Sequence, residues 1–124
     1  MSQRILIVDD AAFMREMLRD ILTEEGYEIV AEAADGDEAI SAYNDCQPDL
    51  VMLDIVMPRK SGLEALREIA AAHPGANIVM CSALGQESLV TEALDAGAKD
   101  FVVKPFKPER ALEVVKKVLA KDDD

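Results

Sequence analysis

Short apolar runs recur along the chain at near-regular intervals, and each is followed by a longer segment with helical periodicity. Ile5-Leu6-Ile7-Val8, Leu50-Val51-Met52-Leu53 and Ile78-Val79-Met80-Cys81 are uninterrupted apolar stretches, the pattern of strands buried on both faces. Phe101-Val102-Val103 is a shorter run of the same kind, and Glu28-Ile29-Val30-Ala31-Glu32-Ala33 is more polar, as suits a strand at a sheet edge. The intervening segments carry stripes spaced three and four residues apart. Met14, Met17, Leu18, Ile21 and Leu22 form one, closed by Gly26 at the usual C-terminal glycine position. Ala39, Ile40 and Tyr43 form a second after a predicted turn at Asp35-Gly36-Asp37. Ser61 with Glu64 three residues on has the capping-box spacing, and opens a helix with Leu63, Leu66 and Ile69 facing the core. His73-Pro74-Gly75 stops it, because the residue before a proline is pushed out of the helical region. A fourth helix places Leu89, Val90, Ala93 and Leu94 on the core before Gly97. A fifth begins at Pro108 and carries Leu112, Val115, Val118 and Leu119.

Strict strand–helix alternation predicts an α/β fold with one parallel sheet covered by helices on both faces. The doubly wound, flavodoxin-like order 2-1-3-4-5 fits, since it puts the apolar first, third and fourth strands inside and the polar second strand at an edge. The 124 residues suit a single domain, 1–124, with an acidic tail at about 121–124.

Composition narrows the function. Half of the residues are apolar, which excludes a disordered chain. No apolar run approaches ~20 residues and the first residues lead straight into a strand, so neither a membrane span nor a signal peptide is expected. The expected location is cytoplasmic. Thirteen basic against 25 acidic residues leave a net charge of −12, which argues against a nucleic-acid partner. Much of that acidity serves solubility. Cys46 and Cys81 match no metal-ligand spacing and are expected to be reduced and structural; His73, the single histidine, is placed at a surface helix end.

Chemistry enters at the strand ends. Asp9-Asp10, Asp54, Ser82 and Lys104 each follow an apolar run, and in this topology ligands bind outside the carboxyl ends of the strands, between strands 1 and 3. Neighbouring strands lie ~4.8 Å apart, so Asp9, Asp10 and Asp54 should converge. Two such charges ~4 Å apart repel by about 4 kcal/mol at an effective dielectric of ~20. A hard divalent cation resolves that conflict, and a set of carboxylates with waters suits Mg²⁺ rather than zinc or copper. Ser82 is expected on the strand beside Asp54, and Lys104, two spacings away, is long enough to reach it. A carboxylate ringed by a metal, a hydroxyl and a cation suits a phosphoryl group, which an aspartate can accept covalently.

Ile5 to Asp10 (ILIVDD), Leu50 to Pro58 (LVMLDIVMP), Ser82-Ala83 and Phe101 to Phe106 (FVVKPF) resemble the receiver domain of two-component response regulators over essentially the whole chain. Asp9 through Arg15, Cys81-Ser82-Ala83 and Ala98 to Phe101 further resemble its stand-alone chemotaxis regulators, in the form found outside the enteric bacteria. The resemblance implies that Asp54 takes a phosphoryl group from a phosphohistidine on a sensor kinase. It implies Mg²⁺ on Asp10 and Asp54, with Asp9 helping and the Val56 main-chain carbonyl as a further ligand. Lys104 would pair with the phosphoryl oxygens, Ser82 would swing in to bond one of them, and Lys104-Pro105 would be a cis bond. The implied partners are a chemotaxis (CheA-like) histidine kinase, the flagellar motor switch and a phosphatase, all met by a monomer that signals by contact and is not itself an enzyme.

Two departures matter. The switch aromatic, often tyrosine, is Phe101, which can answer Ser82 only by repacking. Val56 and Leu84, two residues after Asp54 and Ser82, are apolar where the enteric regulators are polar, so slow self-dephosphorylation is expected. Three alternatives compete. A phosphorelay intermediate would hand the group to another histidine. An Mg²⁺-dependent aspartyl phosphatase would need an acid where Val56 stands. A flavodoxin-like FMN carrier would need a phosphate-cradling loop where Asp9-Asp10 repels phosphate.

Overall fold

The computed structural model describes residues 2–122. Its elements are β1 (Arg4–Val8), α1 (Ala12–Glu24), β2 (Glu28–Ala33), α2 (Gly36–Cys46), β3 (Leu50–Asp54), α3 (Gly62–Ala72), β4 (Ile78–Ala83), α4 (Glu87–Asp95), β5 (Asp100–Lys104) and α5 (Pro108–Asp122). The five strands pair in parallel in the order β2-β1-β3-β4-β5. The acidic tail expected at the C-terminus falls largely outside the described residues.

Strand alternation divides the interior into two cores. Ile5, Ile7, Leu50, Met52, Val79, Cys81 and Val102 face α1 and α5, meeting Met14, Leu18, Leu22, Val115 and Val118. The alternate positions Leu6, Val8, Val51, Leu53, Ile78 and Met80 face α2, α3 and α4. Burial on both sides explains why β3 is apolar along its length until Asp54, all five residues being buried. β2, on the edge, is only partly covered.

Several local expectations were met. Ser61 and Glu64 form both halves of a capping box. Gly26 and Gly97 follow α1 and α4 in the left-handed region that favours glycine. His73 caps α3, half-buried against the Tyr43 ring with its Nε2 2.9 Å from Asn44 Oδ1, a structural place beside the residues that open β3 and β4. Cys81 is buried, and burial pushes its thiol up to about 12, so it is inert.

Two expectations are corrected. Asp35-Gly36-Asp37 is the start of α2 and not a separate turn: Asp35 is the N-cap, its carboxylate accepts the Glu38 N–H at 2.9 Å, and two acids favour the helix's positive end. Leu94, expected in the core, is 40% exposed. Val90 and Ala93 carry the buried face of the short α4, and Leu94, turned about 100° from Ala93, falls on its shoulder. Among the described residues no helix is long and apolar enough to cross a membrane.

Candidate functional site

Register brings the strand ends together. Val8 pairs with Leu53, so Asp9, the next residue, emerges beside Asp54. Asp54 pairs with Cys81, and Lys104 with Ala83. By alternation Asp9, Asp54 and Lys104 continue the rows of Ile7, Met52 and Val102, and so leave the sheet on the α1/α5 side. Ser82 continues the row of Met80, toward α4. It lines a cavity of about 290 Å³ with Leu84, Val90, Leu94, Phe101 and Val103. Ser82 and Phe101 therefore share one face of the sheet while Asp9, Asp54 and Lys104 share the other.

One carboxylate oxygen from each of Asp9, Asp10 and Asp54 lies within 4.8 Å of the others. Asp9 is 1% and Asp54 8% exposed, whereas Asp10 is open to solvent. Asp9 is held from several sides. Its Oδ1 accepts the Ala11 N–H at 2.9 Å, its Oδ2 accepts Lys104 Nζ at 2.6 Å, and its carbonyl accepts Arg15 Nη1 at 2.6 Å. Lys104 Nζ lies 3.4 Å from Asp54 Oδ2. The Lys104-Pro105 bond is cis.

Electrostatics mark Asp54 as the frustrated member. Burial pushes its carboxyl up to about 6; the Asp9 and Asp10 charges add to this, and Lys104 opposes it without cancelling it. Burial acts to lower Lys104 as well, but the Asp9 hydrogen bond and the charges of Asp54 and Asp9 outweigh it, so the ammonium is held above its usual range. Among the described residues, Lys104 is the cation paired with these carboxylates, against three acids of which two are buried. The donor set is all oxygen, close-packed and open at Asp10, and it fits a hard divalent cation that keeps several waters.

The β3–α3 loop, residues 55–61, borders the site and is tightly closed. Gly62 N–H donates to the Ile55 carbonyl at 2.8 Å, and a Cβ on Gly62 would lie 1.8 Å from the Asp54 carbonyl oxygen. Only glycine fits. Val56 is 53% and Leu84 77% exposed, so the two apolar residues that follow Asp54 and Ser82 by two positions stand bare to solvent. Sequence reasoning did not single out Arg15 or Arg59 as supporting residues. Their partners, the Asp9 carbonyl and the Asp35 side chain, lie 6 and 24 residues away; Arg15 closes the run that begins at Asp9, but nothing in that run shows its side chain folding back on the Asp9 carbonyl.

Residues 5–116 match the response regulator receiver domain model. Among curated relatives, the chemotaxis protein CheY of Bacillus subtilis is 55% identical over 119 residues, 96% of this chain and 99% of that one. The chemotaxis protein CheY of Thermotoga maritima is 53% identical over 118 residues, 95% of this chain and 98% of that one. Among solved structures, the CheX-CheY-BeF3-Mg complex of Borrelia burgdorferi superimposes with a TM-score of 0.90 at 42% identity, covering 94% of this chain and 88% of that one. With its strand order, its acidic seam and these likenesses over nearly its full length, the chain belongs to the response regulator receiver domain family and is a regulator of the CheY type.

Proposed function

We propose that Asp54 is the phosphoryl acceptor of this regulator and that Asp10, Asp54 and the Val56 carbonyl hold Mg²⁺, with Asp9 helping directly or through water. The observation that carries this reading is the convergence of three carboxylates, two of them paired with Lys104, with Asp54 left the less neutralised of the buried pair. An Asp54 carboxylate oxygen attacks phosphorus as the bond from phosphorus to the donor imidazole nitrogen breaks, and the departing nitrogen takes up a proton. Bound Mg²⁺ would neutralise charge on the carboxylates and on the entering phosphoryl oxygens. Lys104 turns to those oxygens. Ser82 swings across from the α4 side to bond one of them, and Phe101 moves into the space it leaves.

The repacking shifts a two-state equilibrium on the face built from α4, β5 and α5. The donor is a chemotaxis (CheA-like) histidine kinase in the cytoplasm, and the receiver of the signal is the flagellar motor switch. A third partner removes the phosphoryl group; a relative's complex with CheX, BeF3 and Mg supports one that engages the loaded site. Val56 and Leu84 offer no polar group to orient an attacking water, so self-dephosphorylation is slow. The protein acts as a monomer.

The test is incubation with acetyl phosphate and Mg²⁺, followed by intact mass. Wild type should gain one phosphoryl group while acetate leaves, and Asp54→Asn should gain none. Equal labelling of both removes the assignment.

A further inference from the structure

The β3–α3 loop is tied not only at its neck but also at its far limb, to the junction of β2 and α2. Asp35 is buried, with one carboxylate oxygen on the Glu38 N–H as the α2 cap. Its other oxygen takes Arg59, at 2.9 Å from Nε and also through Nη2. Next to this fork, Gly36 N–H donates to the Lys60 carbonyl at 2.8 Å, and a Cβ on Gly36 would lie 2.5 Å from that oxygen. Lys60 Nζ lies 3.4 Å from Asp37 and also pairs with Glu68.

Arg59 adopts φ +62°, a left-handed conformation unfavourable for a residue with a side chain. A solvent-facing guanidinium on an ordinary surface carboxylate would give little reason to hold it there. Asp35 is not such a carboxylate: it is buried and fixed in orientation by its helix, so the planar fork of the arginine has one docking position. Between the neck at Ile55–Gly62 and this fork lie Val56, Met57 and Pro58.

We infer that the Asp35–Arg59 pair is a positioning element for metal binding, holding loop 55–61 so that the Val56 carbonyl is presented to the carboxylates. The inference rests on the proposed role of that carbonyl as a Mg²⁺ ligand. Neither Asp35 nor Arg59 touches the metal; each acts through the loop, as supporting partners of metal ligands commonly do. The tie crosses from the β2 edge of the sheet to the central strand, so the α2 cap and the metal loop form one unit.

Titration calorimetry with MgCl₂ tests it on wild type, Arg59→Ala, Arg59→Gly, Arg59→Lys and Asp35→Asn, with a metal-free melt of each. Arg59→Ala should weaken Mg²⁺ binding by about tenfold, the low end of what loss of a supporting partner costs a metal site. Arg59→Gly removes the unfavourable φ as well as the pair and should weaken binding at least as much, which separates positioning from strain. Arg59→Lys should recover part of the affinity. Asp35→Asn keeps a cap and loses the charge, and should follow Arg59→Ala. In metal-free protein, the amides of Val56, Met57 and Lys60 and of position 59 should exchange faster in Arg59→Ala. Lowered melting temperatures with wild-type Mg²⁺ affinity throughout would reduce the pair to a fold contact and overturn the inference. A wild-type protein that binds no Mg²⁺ removes the site reading, and the positioning role with it.

Discussion

Lys104 Nζ lies 2.6 Å from Asp9 Oδ2 and 3.4 Å from Asp54 Oδ2, so the lysine at the end of β5 is bonded across the sheet to an acid at the end of β1. Two strands lie between them, β3 and β4, and β3 ends in Asp54, the proposed acceptor. Lys104 is therefore a resident counter-ion of the buried pair, and a cation entering between Asp9 and Asp10 competes with it. Replacing Lys104 with methionine should tighten Mg²⁺ binding severalfold by calorimetry. It should also lower the melting temperature in metal-free buffer, with the deficit recovered on adding MgCl₂.

The raised carboxyl of Asp54 has a definite sign in stability. A carboxyl whose pKa rises from 3.8 to about 6 on folding binds its proton more tightly in the folded state. Its contribution is a cost above pH 6 that is relieved as pH falls from about 6 toward 3.8, on the order of 3 kcal/mol in metal-free protein. Asp54→Asn should thus be more stable than wild type in urea melts at pH 7 without metal, and the gap should close at pH 4. Saturating Mg²⁺ should also narrow it, and Mg²⁺ affinity should fall below about pH 6 as protons compete.

Asp35 has the opposite sign. The Glu38 N–H and the Arg59 side chain hold its carboxyl below the ordinary 3.8. Its stabilisation is present above that value and is lost as pH falls through the lower folded one. Asp35→Asn should be less stable than wild type at pH 7, with the two melts converging in acid.

Gly62 has no room for a methyl group, since a Cβ would sit 1.8 Å from the Asp54 carbonyl oxygen. Gly62→Ala should cost about 3 kcal/mol or more in urea denaturation, because the obstacle is backbone and cannot rotate away. Phosphorylation by acetyl phosphate should fall with it. A near-native melt would mean that β3 and its loop yield more than their packing indicates.

Val56 and Leu84, two residues after Asp54 and Ser82, are exposed and apolar. Phosphorylated wild type should lose its label slowly, and Val56→Asn should shorten the lifetime by about tenfold, less than the hundredfold or more of a group that transfers a proton, because an amide only orients the water. Loss of label followed by intact mass after removal of the donor decides the comparison. Equal lifetimes would place control of hydrolysis elsewhere.

The strand runs, the helical stripes and the strand order were set by the chain's own pattern, because burial on both faces needs continuous apolar runs and burial on one face needs a stripe. Asp9, Asp10, Asp54, Ser82 and Lys104 could be picked out for the same reason: polar groups that end buried strands are costly without a purpose. What only the folded molecule decided was which of them meet. Register and alternation turned Asp9, Asp54 and Lys104 to one face of the sheet and Ser82 with Phe101 to the other. The sequence placed Lys104 within reach of Asp54, yet the tighter bond went to Asp9, a choice of less than an ångström that no periodicity encodes. The tie from Asp35 to Arg59 was equally hidden, since it joins loops that are neighbours only after β1 comes to lie between β2 and β3.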